Sequence, residues 1–162
     1  MNFIDYSITL LISYSGIFVG IFLAFFAKEE LPTAKPYLQV LQTLLLITIL
    51  FFLIKVFNPI IFILIFTALF SGIFYMRKKL RLRKISIFMY PIFSLIFFLI
   101  SKNDIFPYFA SLIYLYGLPT GSLLGKYTID TKNSKLLLKK IKIYSIYFII
   151  PVVFYAGKKL LS

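Results

Sequence analysis

The chain has 162 residues, 61% of them hydrophobic, and carries 18 Lys+Arg against 5 Asp+Glu, a net charge of +13. A soluble domain is roughly half apolar and about one quarter charged, whereas here charged residues fall to 14% and aromatics reach 20%. Those proportions exclude an ordinary soluble domain. With no Cys and no His at all, disulfides, thiolate nucleophiles, zinc-finger ligation and imidazole acid–base chemistry are excluded too.

The apolar residues come in long runs, and about 20 of them are needed to cross a bilayer core. Six runs qualify in chain order: 8–27, 38–57, 59–76, 85–100, 105–125 and 141–157. The expected fold is therefore all-α: a polytopic bundle of six transmembrane helices in a single domain, with no soluble domain. Asn58 and Pro59 separate the second run from the third, as N-cap and first helical residue. A five-helix alternative merges these two runs, but it would hold Pro59 inside one very long helix, where proline removes a backbone hydrogen bond. Asp104 and Pro107 mark the start of the fifth run in the same way. Met1–Ser7 holds Asp5 and no basic residue, unlike the n-region of a signal peptide, so the first run is expected to stay as an anchor.

Positive charge is unevenly placed. Arg77, Lys78, Lys79, Arg81, Arg83 and Lys84 form one cluster, and six lysines between Lys126 and Lys142 form another. With six alternating helices both clusters share a side with Lys28 and Lys35, which puts 14 of the 18 basic residues together. Basic loops stay cytoplasmic, so loops 77–84 and 126–142 are expected inside and both termini outside. The cluster at 77–84 would contact anionic lipid headgroups. No aromatic residues are interleaved as a stacking platform, so no nucleic-acid partner is expected. Tyr6 and Tyr108 outside, and Tyr37, Tyr75 and Tyr127 inside, fit an aromatic belt. The excess of Ile over Val and of Lys over Arg suggests an AT-rich prokaryotic source.

Two stripes of small residues stand out: Gly16, Gly20 and Ala24 in the first run, and Gly117, Gly121 and Gly125 in the fifth. A spacing of four places each set on one helix face, where a second backbone can approach closely. Either the stripes pack helices within the bundle or they form a groove for a membrane-protein partner or a second copy. They also align at an offset of 101 residues, which suggests a parallel repeat. Three prolines, Pro91, Pro119 and Pro151, fall inside runs, and each frees the carbonyl four residues earlier. The segment Tyr116–Ser122 combines Pro119 with Gly117, Gly121, Thr120 and Ser122. It is either a kinked helix whose hydroxyls mend its own backbone or a broken helix lining a cavity. Gln39, Gln42 and Thr43 are expected on one inward stripe of the second run.

Glu29 and Glu30, the only adjacent acids, would oppose the macrodipole if they closed the first helix. No Asp, Glu, Lys or Arg lies at the centre of a run, which argues against proton relays and ion-coupled pumps. No metal ligand set, cofactor or catalytic constellation is visible, so an enzyme is not expected. The leading expectation is a non-enzymatic accessory or assembly subunit acting through the small-residue stripes. The alternative is a carrier, or the substrate-binding subunit of a transporter, for an uncharged solute, with Gln39, Gln42, Pro119, Thr120 and Ser122 lining its cavity.

Overall fold

The computed structural model describes residues 2–56, 67, 86–101 and 103–131, and beyond these 138, 141, 142, 144, 148, 149, 151–153 and 155–157. Four helices are bounded: α1 Phe3–Phe26, α2 Leu31–Val56, α3 Ser86–Ile100 and α4 Phe106–Thr131. The described positions from 138 to 157 are helical as well, and among the described residues there is no strand. Two stretches, Phe3–Phe26 and Leu31–Ile54, are long and apolar enough to cross a membrane. Of the expected run 59–76 only Thr67 is among the described residues, and the cluster Arg77, Lys78, Lys79, Arg81, Arg83 and Lys84 lies outside them.

Three boundaries differ from those expected. Helix α1 starts at Phe3 rather than at residue 8, because the Asn2 carbonyl accepts the Tyr6 N–H at 3.0 Å and Asp5 in the first turn complements the helix dipole. It ends at Phe26, with the Ala27 N–H on the Leu23 carbonyl at 2.9 Å. Helix α2 then begins at Leu31, seven residues earlier than residue 38. Pro32 sits where an N–H would have no intrahelical partner, and Thr33 Oγ1 donates to the Glu30 carbonyl at 2.8 Å. Glu29 and Glu30 thus precede the N-terminus of α2, where acids are favourable, instead of closing α1. Helix α4 continues to Thr131, past the expected end at 125. Thr128 and Thr131 donate back to the carbonyls of Leu124 and Tyr127, and Lys126 pairs with Asp130 at 3.9 Å.

A short turn joins α3 to α4. The Asn103 side-chain carbonyl accepts the Ile105 N–H at 3.2 Å, and its backbone carbonyl accepts the Phe106 N–H at 3.0 Å. Asn103, and not Asp104, therefore sets the turn, since its side chain can mimic a backbone acceptor.

Helix α4 lies at the centre, against α1, α2 and α3. It buries Phe106, Phe109, Ile113, Tyr116 and Leu124 together with its glycines, Pro119, Thr120 and Ser122. Apolar residues of the other helices face outward, among them Ile4, Leu11 and Phe22 of α1 and Leu44, Ile47 and Phe51 of α2. The most polar of the long helices is thus the inner one. That arrangement suits a bundle in lipid, where interhelical contacts favour small and hydroxyl-bearing residues and only the outer faces need to be apolar.

Candidate functional site

The two small-residue stripes meet each other. A β-carbon added at Gly16 would strike the Tyr114 carbonyl, at Gly20 the Leu118 carbonyl, and at Gly121 the Ile17 carbonyl. At Gly117 it would lie 2.8 Å from the Gly16 carbonyl carbon, and at Gly125 it would lie 2.5 Å from the Ala24 β-carbon. Positions 16, 20 and 24 thus oppose 117, 121 and 125 in order, so α1 and α4 run parallel. The 101-residue offset read in the sequence is also the register of this contact. Ser122 Oγ crosses the seam to the Gly20 carbonyl at 3.0 Å. The groove that each stripe could have offered to a partner is occupied by the other stripe of the same chain.

Next to the seam lies a cluster of hydroxyl and amide groups. Gln42 on α2 donates through Nε2 to Thr120 Oγ1 at 2.8 Å and to the Tyr116 hydroxyl at 3.4 Å, both on α4. Thr120 Oγ1 donates onward to its own Tyr116 carbonyl at 2.8 Å. On the other side, the Tyr14 hydroxyl of α1 and Ser94 Oγ of α3 are 2.6 Å apart, and Ser94 also donates to the Tyr90 carbonyl at 2.8 Å. The Tyr90 ring sits between these two pairs. Its centroid lies 5.7 Å from that of Tyr14, 6.0 Å from Tyr116, 5.8 Å from Phe93 and 4.9 Å from Tyr144. Tyr90 is 0% exposed. Its hydroxyl faces Thr120 yet completes no hydrogen bond. A buried hydroxyl in that condition costs about 1–3 kcal/mol relative to a partnered one.

The residues expected to line a cavity divide. Gln42 and Thr120 join the cluster. Pro119 is buried within α4, and Ser122 serves the seam instead. Gln39 and Thr43 are exposed, so the expected inward stripe narrows to Gln42. Helix α2 lies at the edge of the bundle, and residues three positions apart on a helix are offset by roughly 60°, too far to share a narrow contact. Thr120 and Ser122 do not mend the carbonyl that Pro119 frees at Leu115, since they bond the carbonyls of Tyr116 and Gly20.

Tyr6 is also corrected. It is not an interfacial belt residue but is fully buried, stacked on Tyr155 with centroids 4.2 Å apart and flanked by Phe97 and Phe106. Tyr37, Tyr108 and Tyr127 are exposed, and Tyr75 lies outside the described residues. The sequence reading missed Tyr14, Tyr90, Ser94 and Tyr144, and named Tyr116 only as the first residue of the Tyr116–Ser122 segment. Their signal was position: a tyrosine in the middle of an apolar run cannot reach the headgroups, so its polar end has to face another helix.

Compared with known proteins, the chain matches no family model, no curated protein and no solved structure. Any functional reading therefore stands on this geometry alone.

Proposed function

We propose that the chain is a non-enzymatic, multi-pass membrane protein whose bundle binds a small uncharged solute, as a carrier or as the solute-binding subunit of a transporter. The observation that carries this reading is the Tyr90 hydroxyl, buried without a partner beside Thr120 and within the ring of Tyr14, Tyr116 and Tyr144. A native bundle that leaves a polar group unpaired at its centre is most simply one whose occupant supplies the missing bond. The solute is uncharged because, among the described residues, no Asp, Glu, Lys or Arg takes part in the cluster.

Helix directions support six crossings over five. Tyr14 lies beside Tyr90 and Ser94, while Tyr6 lies beside Phe97, so α3 is antiparallel to α1. Helix α2 turns back from α1 after residues 27–30, so α2 and α3 share a direction. If both span the bilayer, the chain has to recross between them, which is the role read for 59–76. Tyr14 beside Phe148 and Phe3 beside Tyr155 give the 138–157 stretch the direction of a sixth crossing. The basic clusters then lie in the cytoplasm against anionic headgroups and both termini lie outside. The chain has no native cysteine, so single Cys substitutions can test this with an impermeant maleimide. Asn103→Cys should label from outside, and Lys28→Cys only after the membrane is opened.

The solute reading is tested by thermal unfolding of the purified protein in detergent against a panel of uncharged solutes. At least one should raise the midpoint through binding linkage, and Gln42→Leu and Thr120→Val should each weaken that shift. A shift unchanged by both substitutions, or the absence of any shift, would refute it.

An accessory or assembly subunit is the second reading. It no longer has the glycine stripes as its interface. It rests on the outward face of α2, where Val40, Leu41, Leu44, Ile47, Phe51 and Ile54 are exposed, a face that lipid would also cover.

A further inference from the structure

We infer that α2 joins two copies of this chain into a parallel dimer, with the two Gln39 amides bonded to each other across a two-fold axis along the membrane normal. The inference rests on the multi-pass membrane reading above and not on the solute-binding one. It starts from two glutamines on one helix. Gln42 turns inward, and its amide is bonded to Thr120 and Tyr116. Gln39 is exposed. Its backbone carbonyl takes the Thr43 Oγ1 proton at 2.9 Å, but its side-chain amide bonds no described residue.

Depth makes that exposure unfavourable. Lys35 and Lys55 both belong to α2, and their separation along it is about 30 Å at 1.5 Å per residue, the thickness of the hydrocarbon core. With these lysines at the two boundaries, Gln39 lies about 6 Å inside. Acyl chains offer neither donor nor acceptor, and glutamine lacks the four-carbon stem by which lysine snorkels to the headgroups. A polar side chain in that position is satisfied across a helix–helix contact.

The surroundings of Gln39 name the partner. Gln39, Thr43 and Ile47 recur every four residues and Ile54 follows two turns later, so the four share one face. Ile47 and Ile54 are 57% and 46% exposed, and α2 is the less buried of the two helices long enough to cross a membrane. A two-fold axis along the normal sets each residue beside its own counterpart at the same depth. An amide carries donors and an acceptor, so two Gln39 amides that meet there satisfy each other by reciprocal bonds. Thr43 Oγ1, its proton committed to the Gln39 carbonyl, keeps lone pairs as a second acceptor one turn deeper. A carboxylate or an ammonium at this place would repel its own copy, whereas the uncharged amide is self-complementary. The β-branched isoleucines, stiff at χ1, lose little freedom when they pack along the rest of the contact.

The test is energy transfer between full-length copies labelled at Lys28→Cys, reconstituted in liposomes and diluted with lipid, which reads the dimer dissociation constant. The chain has no native Cys, so each label is unique. Transfer should be present at high protein density and fall on dilution. Gln39→Leu should weaken the dimer roughly fivefold to thirtyfold, the range for such bonds in transmembrane peptides, while Gln39→Asn, which keeps an amide, should retain most of the affinity. Under mild oxidation Ile47→Cys copies should form a disulfide-linked dimer. Leu41→Cys copies, substituted on the other side of α2, should not. A monomer at every density, a Gln39→Leu dimer as tight as the unsubstituted one, or equal crosslinking at positions 41 and 47 overturns the inference and leaves Gln39 to headgroups or to a different protein. The membrane reading fails separately, if Asn103→Cys and Lys28→Cys do not label from opposite sides.

Discussion

Replacing Gly121 by Ala tests the seam between α1 and α4, on which the position of every other group depends. The added methyl would collide with the Ile17 carbonyl oxygen and lie 2.9 Å from both the Ile17 carbonyl carbon and the Ile21 nitrogen. All three are backbone atoms of a regular helix, so no side chain can swing aside. A methyl carbon rests about 3.5 Å or more from nonbonded atoms, so the two helices have to part by about 1 Å, and a gap of that size forfeits up to roughly half of each dispersion contact along the seam. Overpacking of this kind costs about 1–3 kcal/mol. Parting the helices also stretches the Ser122–Gly20 hydrogen bond, worth about 1 kcal/mol. The expected loss is about 3 kcal/mol. The assay is equilibrium unfolding in mixed micelles of mild detergent and SDS, followed by circular dichroism. Gly157→Ala is the control, because nothing lies within 4 Å of a β-carbon there, and helix propensity alone favours Ala by up to about 1 kcal/mol. If Gly121→Ala unfolds at the same midpoint as Gly157→Ala, the close parallel packing of α1 and α4 is refuted.

Three further substitutions probe the polar groups. Tyr90→Phe removes an unpartnered buried hydroxyl and should stabilise the ligand-free protein by about 1 kcal/mol, whereas Tyr14→Phe breaks the bond to Ser94 and should destabilise it by a similar amount. The opposite signs are the check, in the same micelle titration. Gln42→Leu loses the bonds to Thr120 and Tyr116 and should cost about 0.6 kcal/mol, the average for an interhelical bond in a membrane protein. A loss of several kcal/mol would mean that Gln42 holds the bundle together rather than serving a site. Ser122→Ala should cost about 1 kcal/mol, and its effect should vanish in the Gly121→Ala background, where the seam is already open. Additive losses in the double variant would separate the hydrogen bond from the packing.

Much of this architecture was legible in the chain. Gly16, Gly20 and Ala24 share a helix face because of the 3.6-residue repeat alone, and the same holds for Gly117, Gly121 and Gly125. Helices α1 and α3 fall close to the expected runs, because each is a continuous apolar run long enough for a helix and bounded by polar or turn-forming residues. The ends were less legible. The starts of α1 and α2 and the end of α4 depend on local bonds from Asn2, Thr33 and Thr128, and these extend helix into polar sequence that hydropathy would cut off. The polar cluster was half legible. Gln42 and Thr120 were visible as polar residues in apolar runs, while the tyrosines blended into a composition rich in them.

The sequence by itself determined that the chain is helical and strongly apolar, where its small-residue faces lie, and which chemistries its missing His and Cys exclude. These are properties of single segments, fixed by periodicity and side-chain type. Only the tertiary structure decided that the two stripes close on each other and that Gln42 turns inward while Gln39 does not. It alone brought Tyr14, Tyr116 and Tyr144 from three separate segments around Tyr90, whose hydroxyl is left unpaired. Each of those outcomes depends on the rotation of one helix against another. That rotation is set by the sum of all contacts along both helices, and no single segment encodes it.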